Sequence, residues 1–446
     1  MKKLERRAAI CLALAAVLFL GIVYFGWKFV THGGEWASFY GNTQIYTNGM
    51  INRGTIYDRN GELLLNCTPD GIQYSSDSAI RKSTVHAVGD PKGNVATGAI
   101  NMWKDQLIGY DILNGTYDTT SEGKSITLTI DSKANKTAYN ALNGREGTVG
   151  VFNYKTGEVM CMVSTPTFDP AGTEPSDPNS SVYFNTFLMG TLTPGSTFKL
   201  VTAAAAYDTL DDIGSFGFTC DGTNTYEGEK IKCTSNHGHV NFETALAKSC
   251  NGAFGSLTRQ VGPATMGEYV KELGFTDSIN VDGIETAAGS FTFPENSPID
   301  LSWAGIGQYQ DLVNPCAMMV YVGSIANEGE AVEPTLLKGS NFLDRISSGK
   351  SLGRYLDKNT ADKLKQMMKY DVQMTYGEGN FPGLDIYAKS GTAEVGTSKS
   401  NSWFVGFIDD PKHPYAFVVW IKGAGTGYTA AGPVARNVLN TLIAEN

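Results

Sequence analysis

Leu192-Thr-Pro-Gly-Ser-Thr-Phe-Lys199, running on into Leu200-Val-Thr-Ala-Ala-Ala-Ala206, is the stretch on which the reading of this chain turns. On a helix, side chains three positions apart share a face, so the Lys199 amine can reach the Ser196 hydroxyl. Pro194-Gly195 interrupts the chain just ahead of the serine, and an Ala-rich helix over Phe198 to Leu210 follows. Ser196 is therefore expected at a helix N-terminus, where free backbone N–H groups and the macrodipole favour developing negative charge. The same residues also read as a helix cap followed by a surface lysine. Two other Ser-x-x-Lys tetrads, Ser121-Glu-Gly-Lys124 and Ser347-Ser-Gly-Lys350, carry Gly in polar, loop-like stretches and are set aside on that context.

Two further short motifs follow in chain order. Ser249-Cys-Asn251 ends a helical run and is flanked by Leu246 and Phe254, which suits the wall of a cleft, whereas Ser278-Ile-Asn280 follows Thr276-Asp277 and reads as a turn. Lys389-Ser-Gly-Thr392 lies on a strand candidate, where Gly391 would let a substrate backbone come close. Lys155-Thr-Gly157 falls in a hairpin turn instead. Gly349-Lys-Ser-Leu-Gly353 matches a nucleophile-elbow pattern, but no apolar strand precedes it. The ordered trio that survives, Ser-x-x-Lys, Ser-x-Asn and Lys-Ser-Gly, is the set found in penicillin-binding proteins and serine β-lactamases.

Outward from these motifs, Thr148 to Phe152 and Glu158 to Val163 flank a turn and predict a β-hairpin. Phe242 to Gln260 and Thr265 to Leu273 have helical apolar spacing. Tyr387 to Gly391, Ser402 to Ile408 and Tyr415 to Ile421 are strand candidates, and a helix over Gly432 to Ala444 closes the chain. Strands first and last with helices between predict an α+β domain built on one antiparallel sheet. Upstream, Arg53 to Leu65 reads as strand, Asn-Gly turn, strand, and Asp131 caps a helix over 132 to 143.

At the N-terminus, Lys2, Lys3, Arg6 and Arg7 precede an uncharged apolar run from Ala8 to Trp27, long enough as a helix for the roughly 30 Å bilayer core. The basic flank predicts a cytoplasmic tail over 1–7, an anchor over 8–30, a β-rich pedestal over 31–140 and a catalytic domain over 141–446 outside the membrane. Cleavage as a signal peptide after Leu14-Ala15-Ala16 is the competing reading, but the run continues well past that site. A net charge of −10 argues against nucleic acid as a partner. Of seven cysteines, Cys220 and Cys233 bracket a polar loop and either pair or stay free. No linear Cys/His spacing fits a zinc site, since His237 and His239 supply only two ligands, so neither a metal nor a cofactor is expected.

With these motifs in order, the chain resembles a class B penicillin-binding protein, a peptidoglycan D,D-transpeptidase of bacterial cell-wall synthesis. Arg53-Gly-Thr-Ile-Tyr-Asp-Arg-Asn-Gly61, Leu192 to Lys199, His237-Gly238, Lys389-Ser-Gly-Thr-Ala-Glu394 and Trp403-Phe-Val-Gly-Phe407 carry the resemblance. It departs from the family in a short pedestal and in Gly307-Gln-Tyr-Gln310, where Gly-Gln-Gly is usual, and it leaves no room for a class A glycosyltransferase domain.

The resemblance implies a penicillin-binding/serine β-lactamase-like fold, a single-pass bacterial membrane protein, and acylation of Ser196 by stem peptides ending in D-Ala-D-Ala. Lys199 would be the base and Ser249 the proton relay. Asn251, Lys389, Ser390, Gly391 and Thr392 would hold substrate, with backbone N–H groups of Ser196 and Thr392 as oxyanion hole. β-Lactams would be covalent ligands, and a polytopic SEDS-type glycosyltransferase a partner. A β-lactamase or carboxypeptidase sharing the motifs, and a non-catalytic scaffold, are the alternatives.

Overall fold

A computed structural model describes residues 2–110, 123–173, 175–177, 179–226, 228–339, 349–395 and 399–445. Ser121 and Ser347, the serines of the two tetrads set aside, lie outside the described residues. The first element, α1 (Lys2–Ala37), is a continuous helix whose apolar window is wholly exposed and is long enough to cross a membrane.

The pedestal sheet has the order β3-β2-β1-β4, from β1 (Thr55–Tyr57), β2 (Leu63–Thr68), β3 (Gly71–Tyr74) and β4 (Ser125–Thr127). β1 and β2 form the expected hairpin, while β4 runs parallel to β1. The turn between β1 and β2 carries the joint to the catalytic domain. Asp58 accepts from the backbone N–H groups of Asn60 and Glu62 with one oxygen and from Ser132 N–H and hydroxyl with the other. Asn60 donates to Asp131, and Arg59 donates to the Thr129 carbonyl and pairs with Glu158. The Arg53–Gly61 stretch thus fixes one domain against the other. A helix absent from the sequence reading, α2 (Ser78–Val88), packs on α3 (Ser132–Leu142), which Asp131 caps as expected. The boundary expected at residue 140 falls at the end of α3, a helix that lies on the catalytic sheet and whose Ala134, Ala138 and Leu142 enter its core.

That sheet is five-stranded and wholly antiparallel, ordered β11-β12-β13-β5-β6. Its first two strands in sequence are β5 (Gly147–Asn153) and β6 (Val159–Thr165). The chain then leaves through α4 (Lys199–Thr209), the hairpin strands β7 (Gly217–Cys220), β8 (Thr223–Tyr226), β9 (Glu229–Lys232) and β10 (Gly238–Asn241), and helices α5 (Phe242–Ala247), α6 (Asn251–Val261) and α7 (Pro263–Glu272). The single helix expected over Phe242 to Gln260 is broken, because Ser249 takes a left-handed φ of 49° between α5 and α6. After α9 (Pro315–Ala326), which follows a short α8 (Pro298–Ala304), α10 (Lys358–Asp371) leads to β11 (Ile386–Val395), β12 (Lys399–Ile408), β13 (Tyr415–Ile421) and α11 (Gly427–Glu445).

β13 explains the layering. Phe417 and Val419 face α3 and α11, while Ala416, Val418 and Trp420 face the core that includes the fully buried α9. A strand covered on both faces can be continuously apolar, which is why Tyr415 to Ile421 shows no polar alternation. β11 is one of the two edge strands, and the turn before α4 lies against it.

Candidate active site

Ser196 sits in a single 3₁₀ turn, Gly195–Phe198, that runs directly into α4. The turn is held by close approach rather than by side-chain bonds alone. Gly195 has φ 55°, and a Cβ there would stand 2.7 Å from Thr392 O on β11. A Cβ on Gly391 would stand 2.9 Å from both Pro194 O and Thr197 Cγ2. Gly391 was expected to make room for substrate backbone, and the backbone it admits here is that of the Ser196 turn. Behind the turn, Gly195 N–H donates to Gly307 O at 2.8 Å, and buried Trp403 donates from Nε1 to Thr193 O at 2.9 Å. The Gly-Gln-Tyr-Gln departure is therefore structural at its first residue. Its third, Tyr309, occupies a left-handed φ of 64° with its ring partly exposed.

Lys199 is fully buried and touches all three other residues of the first two motifs. Its Nζ lies 3.0 Å from Ser196 Oγ, 3.0 Å from Ser249 Oγ, 2.7 Å from Ser249 O and 2.7 Å from Asn251 Oδ1. The two short contacts are to oxygens that can only accept. A neutral amine has two N–H donors for them and one lone pair left, which can accept from one of the two hydroxyls at a time. Burial, and then the Lys389 cation, pull the Lys199 pKa down from its ordinary range to about 7. The Ser249 backbone break is what turns its carbonyl and hydroxyl to the same amine.

Asn251 was expected to bind substrate. Its carbonyl oxygen accepts from Lys199 and its amide donates to Lys232 O at 2.8 Å, so it also holds the lysine and ties it to β9.

On β11, Lys389 is buried and pairs at 3.2 Å with Asp371, the last residue of α10 and itself fully buried. The helix continues into a π turn, Val372–Tyr376, which brings the Tyr376 hydroxyl over the same strand. Tyr376 donates to Asp371 Oδ2 at 3.0 Å and accepts the Ser390 N–H at 2.7 Å, with Ser390 Oγ 2.9 Å away. The Ser390 hydroxyl, expected on the substrate carboxylate, thus has Tyr376 as its partner. Burial raises the Asp371 carboxyl, against the pull of Lys389. Neither Asp371 nor Tyr376 belongs to a recognisable motif, and no sequence signal singled them out. Thr392 Oγ1 accepts from Gly427 N–H at 3.2 Å. The two lysines are buried, while Ser196, Ser249, Asn251, Ser390 and Thr392 are partly open, so the hydroxyls and the amide face outward with the Lys199 amine and the Lys389 cation beneath them.

The decoys fall elsewhere. Lys155-Thr-Gly157 forms the β5–β6 turn, with Gly157 at φ 81°, and Asn280 bonds Glu285 on an exposed ladder. Ser351 lies on an exposed short strand. Of the two readings left open for Cys220 and Cys233, the unpaired one holds: Cys220, Cys233 and Cys250 are free thiols that cluster with His237. Cys233 and His237 share the loop between β9 and β10, while Cys220 and Cys250 come from other parts of the chain, so only the fold brings all four together.

A serine beside a buried lysine, at the edge of an antiparallel sheet covered by helices on both faces, defines the acyltransferase class that includes the penicillin-interacting enzymes. Residues 147–440 match the penicillin binding protein transpeptidase domain, and the chain belongs to that family, as a class B penicillin-binding protein. It is 27% identical over 364 residues to stage V sporulation protein D of Bacillus subtilis, covering 74% of this chain and 55% of that protein. It is 27% identical over 383 residues to the peptidoglycan D,D-transpeptidase PbpA of Mycolicibacterium smegmatis, covering 78% of each. The structure of penicillin-binding protein A from M. tuberculosis as a ceftriaxone acyl-enzyme shares the fold, with a TM-score of 0.75 at 23% identity over 87% of this chain and 97% of that one.

Proposed function

We propose that the chain is a peptidoglycan D,D-transpeptidase in which Ser196 carries the acyl group. The observation that carries this reading is the buried Lys199 amine 3.0 Å from Ser196 Oγ. An amine with a pKa of about 7 is substantially neutral near neutral pH and can take a proton.

In the first half-reaction Lys199 Nζ takes the Ser196 proton as Oγ attacks the carbonyl of the penultimate D-alanine. The oxyanion forms against the Ser196 and Thr392 N–H groups. Ser390 N–H points to the outer edge of β11, where Tyr376 accepts it, and alternation along a strand puts the Thr392 N–H on that same edge. A donor of this kind is typically worth about 3 kcal/mol. The C–N bond then breaks, and Ser249 passes the proton held by Lys199 to the departing D-alanine nitrogen. In the second half an acceptor amine attacks the ester, its proton moves to Lys199, and Lys199 returns it to Ser196 Oγ as the ester C–O bond breaks. Asn251 positions Lys199 and faces the substrate amide. The Lys389 cation, with the Ser390 and Thr392 hydroxyls, receives the terminal carboxylate, and Gly391 lets the strand lie against the Ser196 turn. A β-lactam enters the same first step and leaves Ser196 acylated.

α1 serves as a single-pass anchor, with Lys2, Lys3, Arg6 and Arg7 on the cytoplasmic side and the catalytic domain outside. Its exposed apolar surface and the adjoining pedestal suit contact with a polytopic SEDS-type glycosyltransferase. The test is labelling of the chain with a fluorescent penicillin beside Ser196→Ala. Slowly lost labelling that disappears in a folded Ser196→Ala supports the reading. Persistent labelling of that variant sinks Ser196, rapid turnover makes the protein a β-lactamase, and a folded wild type that never labels makes it a scaffold.

A further inference from the structure

Beside the Ser249-Cys-Asn251 turn, four side chains meet that the acyl-transfer reading leaves unused. Cys220 ends β7, Cys233 follows β9, His237 precedes β10, and Cys250 lies between α5 and α6. Their sulfur and ring-nitrogen atoms all lie within 4.8 Å of one another. Cys233 Sγ is 3.8 Å from Cys250 Sγ, and Cys220 Sγ is 3.6 Å from His237 Nδ1.

The two shortest of these distances match those across a tetrahedral zinc site. Zn–S bonds of about 2.3 Å at tetrahedral angles put two sulfurs about 3.8 Å apart, and a sulfur and an imidazole nitrogen about 3.6 Å apart. A disulfide would need about 2.05 Å. Cys220 and Cys250 are buried, and Cys233 also accepts the Gly252 N–H at 3.4 Å, the kind of outer-shell bond that orients a thiolate on a metal. Three thiols and an imidazole at this spacing are the donor set of a closed Cys₃His site, with no position left open for substrate.

We propose that Cys220, Cys233, His237 and Cys250 bind one thiophilic divalent cation, zinc, as a structural site. The cation fastens the hairpins of β7 to β10 to the break between α5 and α6. Cys250 is the last residue of that break, and its neighbours Ser249 and Asn251 are the ones that grip Lys199. Ser249 holds a left-handed φ of 49°, a conformation that costs a non-glycine residue free energy and has to be over-determined by its surroundings. Fixing the next residue through its sulfur does that. Zinc is thereby a positioning group for the Lys199 amine and takes no part in bond making.

The test is metal content of the full-length chain, purified in detergent without chelator, by elemental mass spectrometry. About one zinc per chain is expected. It should be retained in Cys11→Ser, whose cysteine is exposed on α1, and lost in Cys220→Ser and His237→Ala. Should those variants fail to fold, cobalt exchanged into the wild type gives the second readout. Intense ligand-field bands in the red with a thiolate-to-cobalt charge-transfer band support the site. Octahedral-type weak absorption overturns it. So does a zinc-free wild type that refuses added zinc, whether its thiols titrate as free or peptide mapping finds Cys233 joined to Cys250. Because these readouts are of the metal, they stand apart from penicillin labelling. Removing the zinc should also slow acylation tenfold or more.

Discussion

Asp371 Oδ2 lies 3.2 Å from Lys389 Nζ, and neither side chain reaches solvent. Removing one member of such a pair strands the other charge in the interior. Asp371→Asn should therefore cost about 3 kcal/mol in chemical unfolding of the detergent-solubilised chain. Asp371→Asn/Lys389→Met should cost less than the sum of the two single changes. Additive losses would mean that the pair is not coupled.

The lowered pKa of Lys199 sets the pH dependence. Acylation by a β-lactam needs the neutral amine, so its second-order rate should rise through pH ~7 and level off above it. Stability follows the same group. The unfolded chain holds the Lys199 proton up to about 10.5 while the folded chain releases it near 7, so the unfolded state binds more protons in between. Stability from this group therefore rises with pH across that window. Stopped-flow acylation and melting curves across the range check both, and a flat rate profile would remove Lys199 as the base.

Asn251→Asp places a carboxylate where Oδ1 now lies, 2.7 Å from Lys199 Nζ. An opposite charge favours the ammonium, so the midpoint of the acylation profile should move to higher pH, with the rate at neutrality lost and regained in alkali. A uniform loss at every pH would instead mean that Asn251 acts only on substrate.

Gly307 has φ 75°, and a Cβ there would collide with Gly195 O and stand 2.7 Å from Phe198 Cβ. Gly307→Ala should cost about 2 kcal/mol or more and slow acylation by displacing the Ser196 turn. Gly61→Ala, at φ 85° but in open space, should cost about 1 kcal/mol and leave acylation alone. Parallel melting and labelling of the two variants separate backbone strain from collision.

What the sequence discloses follows its local periodicity. β11, β12, β13, the β5–β6 hairpin and the Asp131 cap are readable because alternation, turn chemistry and capping are all local. Ser196, Lys199, Ser249 and Lys389 are readable because their motifs are short. Asp371 and Tyr376 are not, since a buried carboxylate at a helix end looks in sequence like any surface acid. The break at Ser249 is invisible for a related reason. The apolar spacing of α5 and α6 continues in phase across it, and the partners that stabilise the break are Lys199 and the thiol cluster. The cluster of Cys220, Cys233, His237 and Cys250 is invisible in the sequence because a spacing rule counts residues along the chain, whereas the folded hairpins and the break at Ser249 set the actual distances.

An open strand border is a standing invitation for foreign chains to stack on it, and most proteins bury or charge such a border. Here β11 is screened by its own neighbours: Tyr376 takes up the Ser390 amide, and Gly195 lies against Thr392. Between these two covers lies a short notch at Ser390 to Thr392, with a phenol on one side and the Ser196 turn on the other. A guest that pairs there has to be short and extended, and its fit into the notch fixes its register. In the proposed function, aggregation control and substrate selection come from the same two covers, so loosening either should trade fidelity for stickiness.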